Sequence, residues 1–111
     1  MESNRLQKIN RLILKELSEM FLLEARKMHG VLISVTQVRV TPDLGVAHAY
    51  LSFFPTEKAK ELLGNINDNV KQIRFELGKR VGQQLRVVPN LTFYLDDSLD
   101  YLENIDNLLK D

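Results

Sequence analysis

Between Lys71 and Arg86 the chain places Lys71, Arg74, Lys79, Arg80 and Arg86, with Glu76 as the only acid. Grouping like charges is unfavourable unless an anionic partner offsets it. Phosphate backbones do so, because each phosphate neutralised releases condensed counterions. A second basic set, Arg5, Lys8, Arg11 and Lys15, recurs at spacings of three and four, with no acid between its ends. At ~100° per residue of helix these four share one stripe. Phe75 projects between Lys71 and Lys79 on a helix, where an aromatic ring flanked by cations can stack a base. Two blander readings stand beside these: Phe75 packs against the first helix, and the cations form a merely solvated face.

Little else in the chain is equipped for chemistry. There is no cysteine, which excludes disulfides and thiolate metal sites. His29 and His48 lack any metal-ligand spacing, so no metal or other cofactor is expected. Asp96-Asp97 resembles a carboxylate pair, but neighbours on a strand point to opposite faces. Gly78 to Gly82 is a GxxxG within a charged helix, and neither a P-loop nor a GxGxxG is present. The expectation is a non-enzymatic binding module with no small-molecule substrate.

With 111 residues, 44% of them hydrophobic and 27% charged, the chain suits one globular domain spanning residues 1–111. Its net charge of zero hides an asymmetry. Residues 1–95 carry 14 Lys/Arg against 9 Asp/Glu, whereas residues 96–111 carry Lys110 against six acids. The longest charge-free run, Leu44 to Thr56, is 13 residues and too short for a bilayer span. No secretory signal opens the sequence. A cytoplasmic protein with no membrane partner is expected.

The elements that position the basic groups are legible from periodicity. Leu6, Ile9, Ile13, Leu17 and Met20 predict a helix over 4–26, with Ser3 or Asn4 as its N-cap. Residues 31–41 and 45–54 predict an antiparallel hairpin around Pro42-Asp-Leu-Gly45. The apolar phase of the first strand slips from odd to even, which predicts a bulge near Thr36–Gln37. Thr56 is the expected N-cap of a helical stretch with Ala59, Leu62, Leu63, Ile66, Val70, Ile73, Leu77 and Val81 on one face. Asn67, Asp68 and Asn69 interrupt its propensity but not its phase, predicting two helices that share a buried face across a kink. A last strand is expected over 86–96, with Pro89 at its start or at an edge, then a short helix from Ser98 carrying Leu99, Leu102, Ile105 and Leu109. The class is α+β, in the order α-β-β-α-kink-α-β with a three-stranded sheet.

Several segments together resemble a known family. They are Ser34-Val-Thr-Gln-Val-Arg-Val-Thr-Pro-Asp-Leu44, Ala47-His-Ala-Tyr-Leu-Ser52, Ile73-Arg-Phe-Glu-Leu-Gly-Lys-Arg80, and Leu85-Arg-Val-Val-Pro-Asn-Leu-Thr-Phe93 leading to Asp96-Asp-Ser-Leu99. In order and spacing they resemble ribosome-binding factor A over nearly the whole chain. The resemblance implies a type II KH-like fold acting as a single RNA-binding domain. It also implies a non-enzymatic late maturation factor of the small (30S) ribosomal subunit, and a monomer is expected. Such a factor binds 16S rRNA in the free or immature particle, assists 5′-end processing, supports growth in the cold, and leaves with help from an assembly GTPase. The family's Ala-any-Gly kink is replaced here by Asn69-Val70-Lys71, so the break must come from the Asn-rich run. The alternative is a protein-interaction module without direct RNA contact, docking through Leu102, Ile105 and Leu109.

Overall fold

The computed structural model describes residues 4–96. Helix α1 (Asn4–Lys27) comes first, followed by strands β1 (Leu32–Val40) and β2 (Val46–Phe54). A short 3-10 turn at Thr56–Lys58 leads into α2 (Ala59–Asp68), α3 (Val70–Val81) and strand β3 (Asn90–Leu95). The mixed α+β class and the element order are those the periodicity predicts. The expected helix from Ser98 lies outside the described residues, as does Ser3.

Helix α1 forms because apolar residues recur every three or four positions without Gly or Pro. Its buried stripe is Leu6, Ile9, Ile13, Leu17, Phe21 and Ala25. Met20, expected in that stripe, is only half-buried, and Phe21 takes the core position. The steps of four carry the stripe from Ile9 through Ile13 and Leu17 to Phe21. The helix ends before Gly30, whose φ of 78° suits the one residue type with no Cβ to clash.

Strands β1 and β2 pair antiparallel, and the register shifts between Val35 and Gln37, where the phase slip places a bulge. The shift turns Ile33, Val38 and Val40 to one face, opposite Ala47, Ala49, Leu51 and Phe53 of β2. The hairpin turn is held by Asp43. Its carboxylate accepts from the Thr41 hydroxyl at 2.6 Å and from the Gly45 N–H at 3.0 Å. Both bonds favour the charged form and hold the Asp43 carboxyl below its ordinary range, the hydroxyl contributing most. This contribution is present above the ordinary carboxylate pKa and fades as pH falls through the lowered one. The Phe54–Pro55 peptide that follows the hairpin is cis.

Strand β3 adds to the other edge of β2 and runs parallel to it, from Val46↔Asn90 to Leu51↔Leu95. A parallel neighbour requires a long crossover, and α2 and α3 supply it. The strand is shorter than the expected 86–96. Pro89 has no N–H for a ladder and lies fully buried just ahead of the strand, leaving Arg86 to Val88 irregular. Thr56 does not cap α2. It opens the 3-10 turn with Pro55 in the cap position and no side-chain cap bond.

All three helices lie on one face of the sheet. Ile13, Leu17, Leu51, Leu77 and Val81 are fully buried in the shared core, and Phe21 meets Phe93 edge to face at 5.7 Å. Asn10 ties α1 to the outer edge of β1 by accepting the Val40 N–H at 2.8 Å. That bond satisfies a donor which an edge strand otherwise leaves open. Gly78 of α3 faces the chain ahead of β3, where a Cβ would sit in ordinary contact with the Val88 side chain at 3.4 Å.

Candidate nucleic-acid interface

The break between α2 and α3 falls at Asn69, with φ −109° and ψ 20°. Asn67 and Asp68, expected to share the kink, remain helical. Asn69 sustains the interruption with its side chain, whose amide donates to the Asn65 carbonyl at 2.8 Å. Its own carbonyl accepts from the Ile73 N–H at 3.0 Å and starts the second helix. The apolar face survives the break: Ala59 and Ile66 precede it, Leu77 and Val81 follow it, and all four are buried.

Because that face is pinned, the outward side of α3 is fixed as well. It presents Lys71, Phe75 and Lys79, all exposed. Phe75 does not pack against α1. Its ring is 59% exposed, and the Lys79 ammonium lies 4.7 Å from its centroid. An exposed ring under a cation offers one free face for stacking and a charge for a phosphate. Lys79 also stands 3.7 Å from Glu76, a solvent-exposed pair that contributes little.

On α1 the side chains of Arg5, Lys8, Arg11 and Lys15 are exposed on the side away from the core. Among the described residues, none of these four, nor Lys71 or Arg86, joins an ion pair. They are available charges.

Two members of the predicted set are committed elsewhere. Arg74 donates to the carbonyls of Val88 at 2.6 Å and Pro89 at 3.2 Å, holding the irregular approach to β3 against α3. Arg80 reaches across to α1, where one guanidinium nitrogen lies 3.2 Å from both Glu16 and Glu19. Its side chain is 31% exposed and that of Glu16 only 15%, so this pair is partly desolvated. Arg80 is therefore a clasp between α1 and α3. Arg80→Ala is expected to lower unfolding free energy by about 1–2 kcal/mol, between the surface and buried limits. A double-mutant cycle with Glu16→Gln in urea checks this, and a coupling energy near zero would make the clasp inert.

Sequence reasoning passed over Tyr50 and Tyr94, which sit side by side with His48 on the sheet face that no described helix covers. Their positions on the outward phase of two strands were visible, but the pairing of those strands was not. Among the described residues no three His, Asp or Glu side chains gather where a metal ion would fit, and no helix is long and apolar enough to cross a membrane.

Comparison with known proteins decides the lineage. The profile of the ribosome-binding factor A family matches residues 5–109. The chain belongs to the ribosome-binding factor A family. A ribosome-binding factor A from Flavobacterium psychrophilum is 53% identical over 111 residues, covering 98% of this chain and 85% of the relative. One from Flavobacterium johnsoniae is 52% identical over the same length. The crystal structure of ribosome-binding factor A from Thermus thermophilus superposes with a TM-score of 0.66 at 22% identity, covering 81% of this chain and 94% of that one. A Thermus thermophilus homology model fitted into a cryo-EM map of a 30S complex gives a TM-score of 0.61 at 21% identity, covering 87% and 97%. At those identities the two structures attest the shared fold.

Proposed function

We propose that this protein is a non-enzymatic maturation factor that binds the immature small (30S) ribosomal subunit in the cytoplasm through 16S rRNA, as a monomeric, single KH-like domain. The observation that carries this reading is the outward helical surface. It combines the available cations of α1 with Lys71 and the Phe75–Lys79 pair on α3, in a chain of the ribosome-binding factor A family. Such a surface holds RNA by position and charge; assistance to 5′-end processing then follows from holding the rRNA end in one conformation. Support for growth in the cold fits the same role, since RNA misfolds more persistently at low temperature.

A salt titration of binding to 16S rRNA tests it. Several phosphate contacts give a steep log–log slope, and removing Lys8 or Lys15 should flatten it by roughly 0.7–0.9 each. A flat slope with retained 30S binding would favour the protein-interaction alternative. That reading docks a partner through Leu102, Ile105 and Leu109, which lie outside the described residues.

The break at Asn69 gives a further expected result. Replacing Asn67, Asp68 and Asn69 with Ala favours continuous helix by up to ~0.7 kcal/mol per residue. It also removes the Asn69–Asn65 bond, worth about 1 kcal/mol. Melting temperature should therefore change by only a few degrees, while 30S binding falls severalfold as Lys71 and Lys79 are re-aimed. Full binding at unchanged stability would make the break incidental.

A further inference from the structure

We infer that the sheet face that no described helix covers is a second RNA-contact surface, a stacking platform for unpaired bases built from His48, Tyr50 and Tyr94. This rests on the RNA-binding reading above and goes beyond it, because the platform faces away from the helices that carry the cations.

The rings are brought together by the parallel pairing of β2 with β3. Tyr50 pairs with Tyr94, and His48 with Thr92. The Tyr50 and Tyr94 rings stack with centroids 5.2 Å apart and planes 26° apart. His48 lies 5.6 Å from Tyr94, and its Nδ1 is 3.0 Å from the Tyr94 hydroxyl. Tyr94 is thus the centre of a continuous aromatic row and is 37% exposed. Cross-strand ring pairs are ordinary sheet neighbours. What sets this face apart is its charge.

The three strands, Leu32–Val40, Val46–Phe54 and Asn90–Leu95, contain no Asp or Glu, although the chain has 15 acids. Their one charged residue is Arg39, exposed and paired with His48 in the register. A face that combines adjacent rings and a guanidinium, with Asp96 just past β3 accepting a hydrogen bond from the Thr36 hydroxyl, is complementary to single-stranded RNA. Every base has a π-face to lay on the rings, and the guanidinium meets a phosphate or stacks in turn. Duplex RNA keeps its bases stacked inside and presents nothing to such a row. The platform therefore selects unpaired RNA, whereas the basic helices respond to phosphates in either form.

The chain has no Trp and three Tyr, so tyrosine emission reports on this face directly. In the full chain with Tyr101→Phe, only Tyr50 and Tyr94 emit. Single-stranded oligouridine is expected to quench them, and a duplex RNA at equal phosphate concentration is not. Tyr50→Ser with Tyr94→Ser should weaken oligouridine binding at least about fivefold and leave the salt slope unchanged. Tyr50→Leu with Tyr94→Leu, which keeps apolar bulk on the strands, should lose as much, and the corresponding Phe pair should retain affinity. Lys71→Glu with Lys79→Glu should do the reverse, flattening the slope while sparing quenching at saturation. Equal quenching by duplex, unchanged affinity of the Leu pair, or quenching that appears only after residues 97–111 are removed would each overturn the platform. A protein that binds neither RNA overturns the RNA-binding reading itself.

Discussion

Lys71→Glu combined with Lys79→Glu is expected to abolish measurable association with the small subunit while leaving the fold intact. Both side chains are exposed on the outward face of α3, and neither holds another element in place. Losing two phosphate contacts at ~0.15 M salt weakens binding roughly 20-fold through counterion release alone. The two new carboxylates repel the same phosphates, which brings the expected loss to about 100-fold or more. The structural cost is small, because the Lys79–Glu76 pair is solvent-exposed and exposed pairs contribute at most about 1 kcal/mol. Co-sedimentation with 30S particles and a melting curve, taken together, check the result. Normal co-sedimentation would move the RNA site off α3. Arg80→Glu makes an instructive contrast: it sets a third carboxylate beside Glu16 and Glu19 and should destabilise the domain before any effect on RNA is read.

Phe93→Ala is expected to lower unfolding free energy by about 3–5 kcal/mol. The ring is buried on β3 and meets Phe21 of α1 edge to face, so truncation opens a cavity and ends an aromatic pair. Domains of this size are stable by about 5–15 kcal/mol, so the loss is a large share of the total. Melting should fall by on the order of 15–25 °C. Urea unfolding at constant m-value measures it, and a change below about 1 kcal/mol would show that α1 and β3 do not share one core.

Much of this architecture is written in local pattern. The odd-to-even slip around Thr36 marks the bulge, because a strand has a period of two and one extra residue inverts every later side chain. The unbroken phase from Ala59 to Val81 marks two helices on one face, and Asn69 does break them. Non-local facts were not legible. Alternation in residues 90–95 says that a strand exists but not that it runs parallel to β2. The cluster of cations says that charge is concentrated but not that Glu16 and Glu19, more than 60 residues earlier, claim Arg80. Arg74 was likewise unreadable, since its partners are backbone carbonyls and every residue has one. Helical geometry put Phe75 between two lysines, and only the packing of α3 shows that it faces outward.

The parallel placement of β3 also sets an order of events. The β1–β2 hairpin closes across a turn of a few residues, which is quick and local. Strand β3 reaches β2 only after the whole crossover from Pro55 to Pro89 has been ordered, and such non-local pairing is slow to form. The hairpin and α1 are therefore expected to be structured in the transition state, with β3 docking afterwards. In chevron experiments Leu51→Ala should slow folding, whereas Phe93→Ala should leave the folding rate nearly unchanged and speed unfolding. On a growing polypeptide the same order leaves one edge of β2 unpaired until residues 90–95 have been made, and unpaired edges invite pairing with other chains. The strand that arrives last closes that edge.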